Sequence, residues 1–87
     1  MGVVEEFVKD YTKSCVTETT YTVTLKWGKV DEAFRRILSK GEVIARMPLL
    51  TRVKYGDVEL TLFKTGKIVI KRLGDRDIKK FLEELFS

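Results

Sequence analysis

Residues 51–72 read TRVKYGDVELTLFKTGKIVIKR, and this stretch decides the fold class. Apolar and polar residues alternate around two turns that contain glycine, Gly56 with Asp57 and Gly66 with Thr65. A two-residue period predicts strands with one buried face, and tight glycine turns join strands that run antiparallel. We therefore expect a meander of three antiparallel strands at 51–55, 58–64 and 67–72.

The segments around this meander extend the pattern. Residues 17–27 alternate in the same way and predict a longer strand, and 42–46 predict a short one. Apolar residues at helical spacing predict a first helix at 2–13, a second between Asp31 and Gly41, and a last one at 75–86. The expected order is α-β-α-β-β-β-β-α. This is an α+β fold, a curved antiparallel sheet with its helices on one face.

The 87 residues are expected to form a single domain over 1–87, and their composition disfavours several classes of function. The chain has no histidine and a single cysteine, Cys15. A disulfide within the chain, a multi-cysteine zinc cluster and a histidine-based catalytic pair are therefore excluded. We expect no enzyme activity, no catalytic residue, no metal and no cofactor.

Hydropathy and amide content bear on where the protein works. No apolar run approaches the roughly 18 residues that a membrane helix needs, and the N-terminal residues lack a secretory signal pattern. We therefore expect a cytoplasmic protein without a membrane partner. Asparagine and glutamine are absent while lysine, arginine and glutamate are abundant, which predicts a thermophilic, archaeal-like origin.

The two-residue period divides the strand residues between the two faces of the sheet. One set is large and apolar, and we expect it to pack against the helices: Tyr21, Val23, Leu25, Val53, Tyr55, Leu60, Leu62, Ile68 and Ile70. The other set combines threonines, cations and two apolar residues, and we expect a face without acids: Thr22, Thr24, Lys26, Arg52, Lys54, Thr61, Phe63, Val69 and Lys71.

The second face has the chemistry of a nucleic-acid surface. Its cations Lys26, Arg52, Lys54 and Lys71 would neutralise phosphates, while Phe63 would stack on or wedge between bases. The same pattern fits a solvated face whose lysines prevent edge pairing, or a face that a protein partner covers. A small-ligand carrier is a further alternative, which the small volume of so short a chain disfavours.

The sequence VELTLFKTGKIVI at 58–70 resembles one repeat of the TATA-box-binding protein family. In that repeat an apolar strand ends in phenylalanine, and a two-residue turn leads to a lysine and a β-branched strand. The strand at 21–25 with the helix after it, and the closing helix at 75–86, resemble the same repeat in position. The resemblance implies a repeat-like unit over 17–86, preceded by an extra helix at 2–13.

The resemblance implies double-stranded DNA as the partner of a concave sheet face, in a transcription-related role. It implies that Phe63 wedges into a minor-groove base step, that Val69 and Thr61 face the groove, and that Thr24 lies at the centre of the saddle. The chain also departs from the family. It contains one repeat, and leucines at 49–50 stand where a second wedge phenylalanine is expected, which argues against recognition of the TATA sequence itself.

A single repeat would leave the strand at 17–27 as an open edge of the sheet. Two copies that pair through this strand would rebuild the saddle, so we expect a homodimer. In the alternative, the first helix or the segment at 14–20 covers the edge and the protein is a monomer. The competing function is an interaction module for an unknown protein partner, without nucleic-acid binding.

Overall fold

The computed structural model describes residues 3–15 and 20–87 of the chain. It is an α+β fold in which a six-stranded sheet packs against helices on one side. The helices are α1 (Val3–Phe7), α2 (Val30–Lys40) and α3 (Ile78–Phe86). The strands are β1 (Val8–Cys15), β2 (Thr20–Leu25), β3 (Glu42–Arg46), β4 (Leu50–Tyr55), β5 (Val58–Phe63) and β6 (Lys67–Lys71).

All neighbouring strands run antiparallel, in the spatial order β1-β2-β6-β5-β4-β3. The three strands β4, β5 and β6 form the predicted meander, and β3, which pairs with β4, extends it to four strands. β2 pairs with β6 at one side of the meander. The chain then continues through α2 to β3, which lies at the other side of the meander. The α+β class, the antiparallel sheet and the element order from β2 to α3 agree with the sequence-based expectation.

The N-terminal segment differs from the predicted helix at 2–13. Helix α1 ends at Phe7, and Val8 begins β1, which pairs along β2 with Val8 opposite Leu25 and Tyr11 opposite Val23. Val8, Tyr11 and Thr12 are residue types that suit a strand, and the edge of β2 offers backbone groups that need partners. Pairing with that edge outweighs the local helix preference, which is a weak determinant in a short segment.

Strand β2 has no free edge, because β1 and β6 pair with its two sides. The expectation that the strand at 17–27 is an open edge was therefore wrong, because β1 pairs with that edge along residues 20–25. Residues 17–19 lie outside the described residues. The outer strands of the sheet are β1 and β3, and both have irregular pairing, for example between Val43 and Ala45. Bulges of this kind hinder the addition of a strand from a second molecule.

One hydrophobic core fills the space between the sheet and the helices, and it contains the predicted apolar face. Seven of the predicted strand residues are buried in it: Val23, Leu25, Val53, Leu60, Leu62, Ile68 and Ile70. Tyr21 and Tyr55 are partly buried and pack against its border. The helices contribute Phe7, Ala33, Ile37, Phe81, Leu82, Leu85 and Phe86. The helices therefore cover one face of the sheet only.

Arg36 of α2 connects the three helices. Its guanidinium lies 5.0 Å from the ring centroid of Phe7 in α1 and donates a 2.7 Å hydrogen bond to the carbonyl oxygen of Phe86 in α3. The Phe7 and Phe86 rings are in contact, with 5.4 Å between their centroids. Arg36 also donates to the Glu32 carboxylate at 3.1 Å. One side chain thus satisfies a carbonyl at the end of α3 and adds a cation–π contact.

Glycine is required after α2 for packing and not for backbone freedom. Gly41 has an extended conformation, with φ −92° and ψ 171°, so it is not the left-handed cap that commonly ends a helix. A Cβ atom at this position would lie 2.4 Å from Cγ1 of Val53 in β4. The close approach of the chain to β4 therefore explains the glycine.

We predict that Gly41→Ala lowers the free energy of unfolding by about 1–3 kcal/mol, because the added methyl group overpacks against Val53. Denaturant unfolding measures the change. Combining Gly41→Ala with Val53→Ala removes the contact, so the loss in the double variant should fall short of the sum of the single losses by about 1 kcal/mol or more. Strictly additive losses would show that the contact is not the cause.

Tyr55, at the border of the core, connects the sheet to α3. Its ring packs edge-on against Phe81 at 5.8 Å between centroids, and its hydroxyl donates a 3.0 Å hydrogen bond to the Glu84 carboxylate. Burial raises the pKa of Tyr55 above its ordinary value of 10.0, and the hydrogen bond and negative charge of Glu84 raise it further. The folded protein therefore holds the phenol proton to a higher pH than the unfolded chain does.

The Tyr55 contribution to stability should be complete below pH 10 and lost as the pH rises through the raised pKa. We predict that Tyr55→Phe unfolds with a shallower pH dependence than the parent protein from about pH 10 upward. Thermal unfolding of both proteins across this range measures the difference. Glu84→Gln should weaken the pH dependence in the same direction, because it removes the charge that opposes phenol ionisation. Parallel profiles for all three proteins would contradict the assignment.

Candidate functional site

The sheet face opposite the helices, here called the open face, carries most of the residues predicted for binding. Residues that pair across antiparallel strands point to the same side, so the register sorts the open face into three rows. The Phe row contains Asp10, Thr24, Lys67, Phe63 and Leu50; the Thr row contains Thr12, Thr22, Val69, Thr61 and Arg52; the charged row contains Thr20, Lys71, Glu59, Lys54 and Glu42.

The Thr row forms the middle of the open face. Thr22, Val69 and Thr61 follow one another across β2, β6 and β5, and each is partly buried. None of them carries a charge, so a partner would meet methyl groups and hydroxyl groups here. Neighbouring rows lie about 7 Å apart, because they are separated by two residues along each strand.

The structure brings eight of the nine predicted binding residues together on the open face. They are Thr22, Thr24, Arg52, Lys54, Thr61, Phe63, Val69 and Lys71. The period of two located them correctly because β2, β4, β5 and β6 pair with one another without a bulge.

Lys26 is the exception, because β2 ends at Leu25. The backbone N–H group of Lys26 donates to the carbonyl oxygen of Phe7 at 2.8 Å, and its ammonium group contacts the carbonyl oxygen of Glu5. The side chain therefore turns toward α1. Extrapolating the strand period by one residue placed Lys26 on the wrong surface.

The open face also contains acids, which corrects the expectation of an acid-free face. Glu59 lies between Lys71 and Lys54 in the charged row, and its carboxylate forms an ion pair with the Arg52 guanidinium. Glu42 continues the row beyond Lys54. The positive charge of Arg52 is therefore compensated within the protein. Glu59, Thr61 and Phe63 are spaced by two residues along β5, so the two-residue period of the sequence already placed Glu59 on the open face.

Lys67 is a cation of the open face that the sequence prediction omitted. It lies in the Phe row between Thr24 and Phe63, and its side chain is exposed. Lys67, Val69 and Lys71 are spaced by two residues along β6, so the two-residue period predicts Lys67 on the open face. Within residues 3–15 and 20–87, the ammonium groups of Lys54, Lys67 and Lys71 form no ion pair.

Exposed apolar side chains gather at the end of the sheet next to the Phe row. Phe63 pairs with Leu50, and the backbone N–H of Lys64 donates to the carbonyl oxygen of Leu49 at 3.2 Å, which joins two turns. Leu49 is 75% exposed, and Trp27, in the turn after β2, is 99% exposed. The structure thus places Leu50, one of the two leucines at 49–50, beside Phe63.

A groove lies beside Trp27 at the same end of the sheet. Its lining includes Thr24 of the Phe row, Trp27, Val30, Asp31 and three lysines, Lys9, Lys26 and Lys64. The groove has a volume of about 710 Å³. Around the Trp27 indole, three lysines therefore outnumber the single acid, Asp31.

Two further observations concern metals and membranes. Across the described residues, no three or more His, Cys, Asp or Glu side chains cluster in a way that would hold a metal ion. In the same part of the chain, every helix is too short or too polar to cross a lipid bilayer.

Comparisons with known proteins add no assignment to these surfaces. No protein-family model, curated protein or solved structure significantly matches the chain.

Proposed function

We propose that the open face binds nucleic acid, with double-stranded DNA as the first partner to test. The observation that carries the proposal is the order of the rows, in which the uncharged centre of the Thr row, Thr22, Val69 and Thr61, lies between two rows with exposed lysines. Lys67 on one side and Lys71 on the other are about 13 Å apart along β6. This spacing is close to the width of the major groove of a duplex, roughly 12 Å, so the two lysines suit phosphates on both sides of it.

The residues between the lysines suit the interior of such a complex. Threonine methyl groups and Val69 would contact sugars and base edges, while Phe63, beside Leu50, would stack on a base or enter a base step. The resemblance to the TATA-box-binding protein family supports the same surface, because the order from β2 to α3 is the one that it implies. The groups that would bind phosphate are Lys54, Lys67 and Lys71, since Glu59 compensates Arg52 and Lys26 faces α1.

A protein partner is the second candidate, and the charged row favours it. Lys71, Glu59, Lys54 and Glu42 alternate in sign across four strands. A row of alternating charge complements a mixed-charge protein surface better than it complements a polyanion. Absence of nucleic-acid binding at low salt, where even non-specific contacts are strong, would favour this candidate over the first.

The nucleic-acid proposal predicts a salt dependence that belongs to particular lysines. Each lysine that neutralises a phosphate of duplex DNA contributes about 0.9 to the slope of log K against log salt concentration. Lys67→Ala combined with Lys71→Ala should therefore weaken binding and reduce the magnitude of the slope by about 1.8. Fluorescence anisotropy of a labelled duplex, titrated at several salt concentrations, measures both quantities.

The matched control is Lys79→Ala combined with Lys80→Ala. It removes the same charge from exposed positions on α3, on the other side of the sheet. The control should keep most of the affinity of the parent protein. Equal losses in the two double variants would show that net charge, and not the open face, determines binding.

Glu59 offers a test in the opposite direction. Glu59→Gln removes a negative charge from the middle of the charged row and releases Arg52 from its ion pair. We predict tighter duplex binding, roughly threefold to tenfold near 0.1 M salt, and a slope steeper by about 0.9. Glu83→Gln makes the same charge change at an exposed position on α3 and should have little effect. Weaker binding by the Glu59 variant would contradict phosphate contact at this row.

A further inference from the structure

Trp27 is the most exposed large apolar side chain of the described residues, and the core does not use it. It is 99% exposed and lies in the turn between β2 and α2, before Gly28 with its φ of +86°. A fully exposed indole gains no burial energy in this fold. Tryptophan at a surface is characteristic of binding contacts, because it buries a large rigid area on a partner.

The surroundings of Trp27 are positively charged. Lys9, Lys26 and Lys64 line the groove together with the single acid Asp31. Among residues 3–15 and 20–87, the ammonium groups of Lys9 and Lys64 have no ion-pair partner, while that of Lys26 contacts the Glu5 carbonyl oxygen. An aromatic platform flanked by lysines suits a flat apolar group that carries a negative charge nearby. A nucleotide has this combination in its base and its phosphate.

The groove is continuous with the open face through Thr24, which belongs to the Phe row and also lines the groove. A strand bound along the open face would therefore reach Trp27 at this end of the sheet. A base within a duplex is stacked on both sides and cannot cover the indole without being extruded, at a cost of a few kcal/mol. An unpaired base is free of this cost.

We propose that the Trp27 groove receives an unpaired nucleotide of the nucleic acid bound on the open face. The base stacks on the Trp27 indole, and Lys9 and Lys64 contact the adjoining phosphates. The preferred ligand is then a duplex with an unpaired extension, and a blunt duplex binds less well. This inference rests on the proposed nucleic-acid function and narrows its ligand.

The single tryptophan of the chain makes the experiment direct, because all indole fluorescence comes from Trp27. Two labelled ligands are compared, a short blunt duplex and the same duplex with a few unpaired thymidines at one end. Anisotropy reports total binding, and indole fluorescence reports stacking. We expect quenching only with the extended duplex, and a tighter complex by about fivefold or more, since stacking of one base contributes about 1–3 kcal/mol.

Variants separate the groove from the face. Trp27→Ala should abolish the preference for the extended duplex while it keeps the affinity for the blunt one, and Trp27→Phe should retain part of the preference. Leu49→Ala is the control, because Leu49 is 75% exposed in the turn before β4 and does not line the groove. It should leave the preference unchanged.

The outcomes distinguish the inference from the function on which it rests. Equal binding of both duplexes without quenching overturns the groove assignment and leaves the open-face proposal standing. No anisotropy change with either ligand at low salt overturns both. Quenching by an acidic peptide such as oligo-glutamate, without quenching by the extended duplex, assigns the groove to a protein partner and overturns the inference.

Discussion

The pairing of β2 with β6 is the contact on which the rest of the structure depends. β2 comes before α2 and β6 is the last strand of the meander, so this pairing joins β2 to the far end of the meander. With Val23 opposite Ile68 and Tyr21 opposite Ile70, apolar residues of both strands face the helices. A shift of one residue would expose this set and bury threonine and lysine, which the hydrophobic effect strongly disfavours. The same register aligns Thr22 with Val69 and so builds the Thr row.

The helices explain why only one face of the sheet is open. The segments that form α1, α2 and α3 supply one apolar layer, and Arg36 ties its members together through Phe7 and Phe86. Residues 3–15 and 20–87 contain no further helix that covers the second face. The open face is therefore built from residues that tolerate water, and its threonines, lysines and partly buried Phe63 are the consequence. A surface of this kind is available to a partner without any change in the fold.

The charge distribution of the open face is more balanced than the composition suggests. Residues 44–73 carry seven basic and two acidic side chains, and part of this positive excess is compensated because Arg52 pairs with Glu59. Among the described residues, what remains is a smaller set of lysines without an ion pair, Lys54, Lys67 and Lys71, on either side of the uncharged Thr22, Val69 and Thr61. The positions of the charges on the open face, more than their sum, would therefore determine which partner binds. A polyanion would contact the lysines alone, whereas a mixed-charge protein surface would contact both lysines and glutamates.

The sequence alone determined the α+β class, the meander, the core face and the face on which eight of the nine candidate residues lie. It could do so because alternation with period two is a local property of each strand. Only the tertiary structure decided the role of the N-terminal segment and the direction of Lys26. Residues 8–15 form a strand because they pair with the side of β2 that β6 does not occupy. Likewise Gly41 is needed because β4 passes close by, and the groove at Trp27 forms where the turns after β2 and β5 meet. These features depend on residues distant in sequence, which no local pattern encodes.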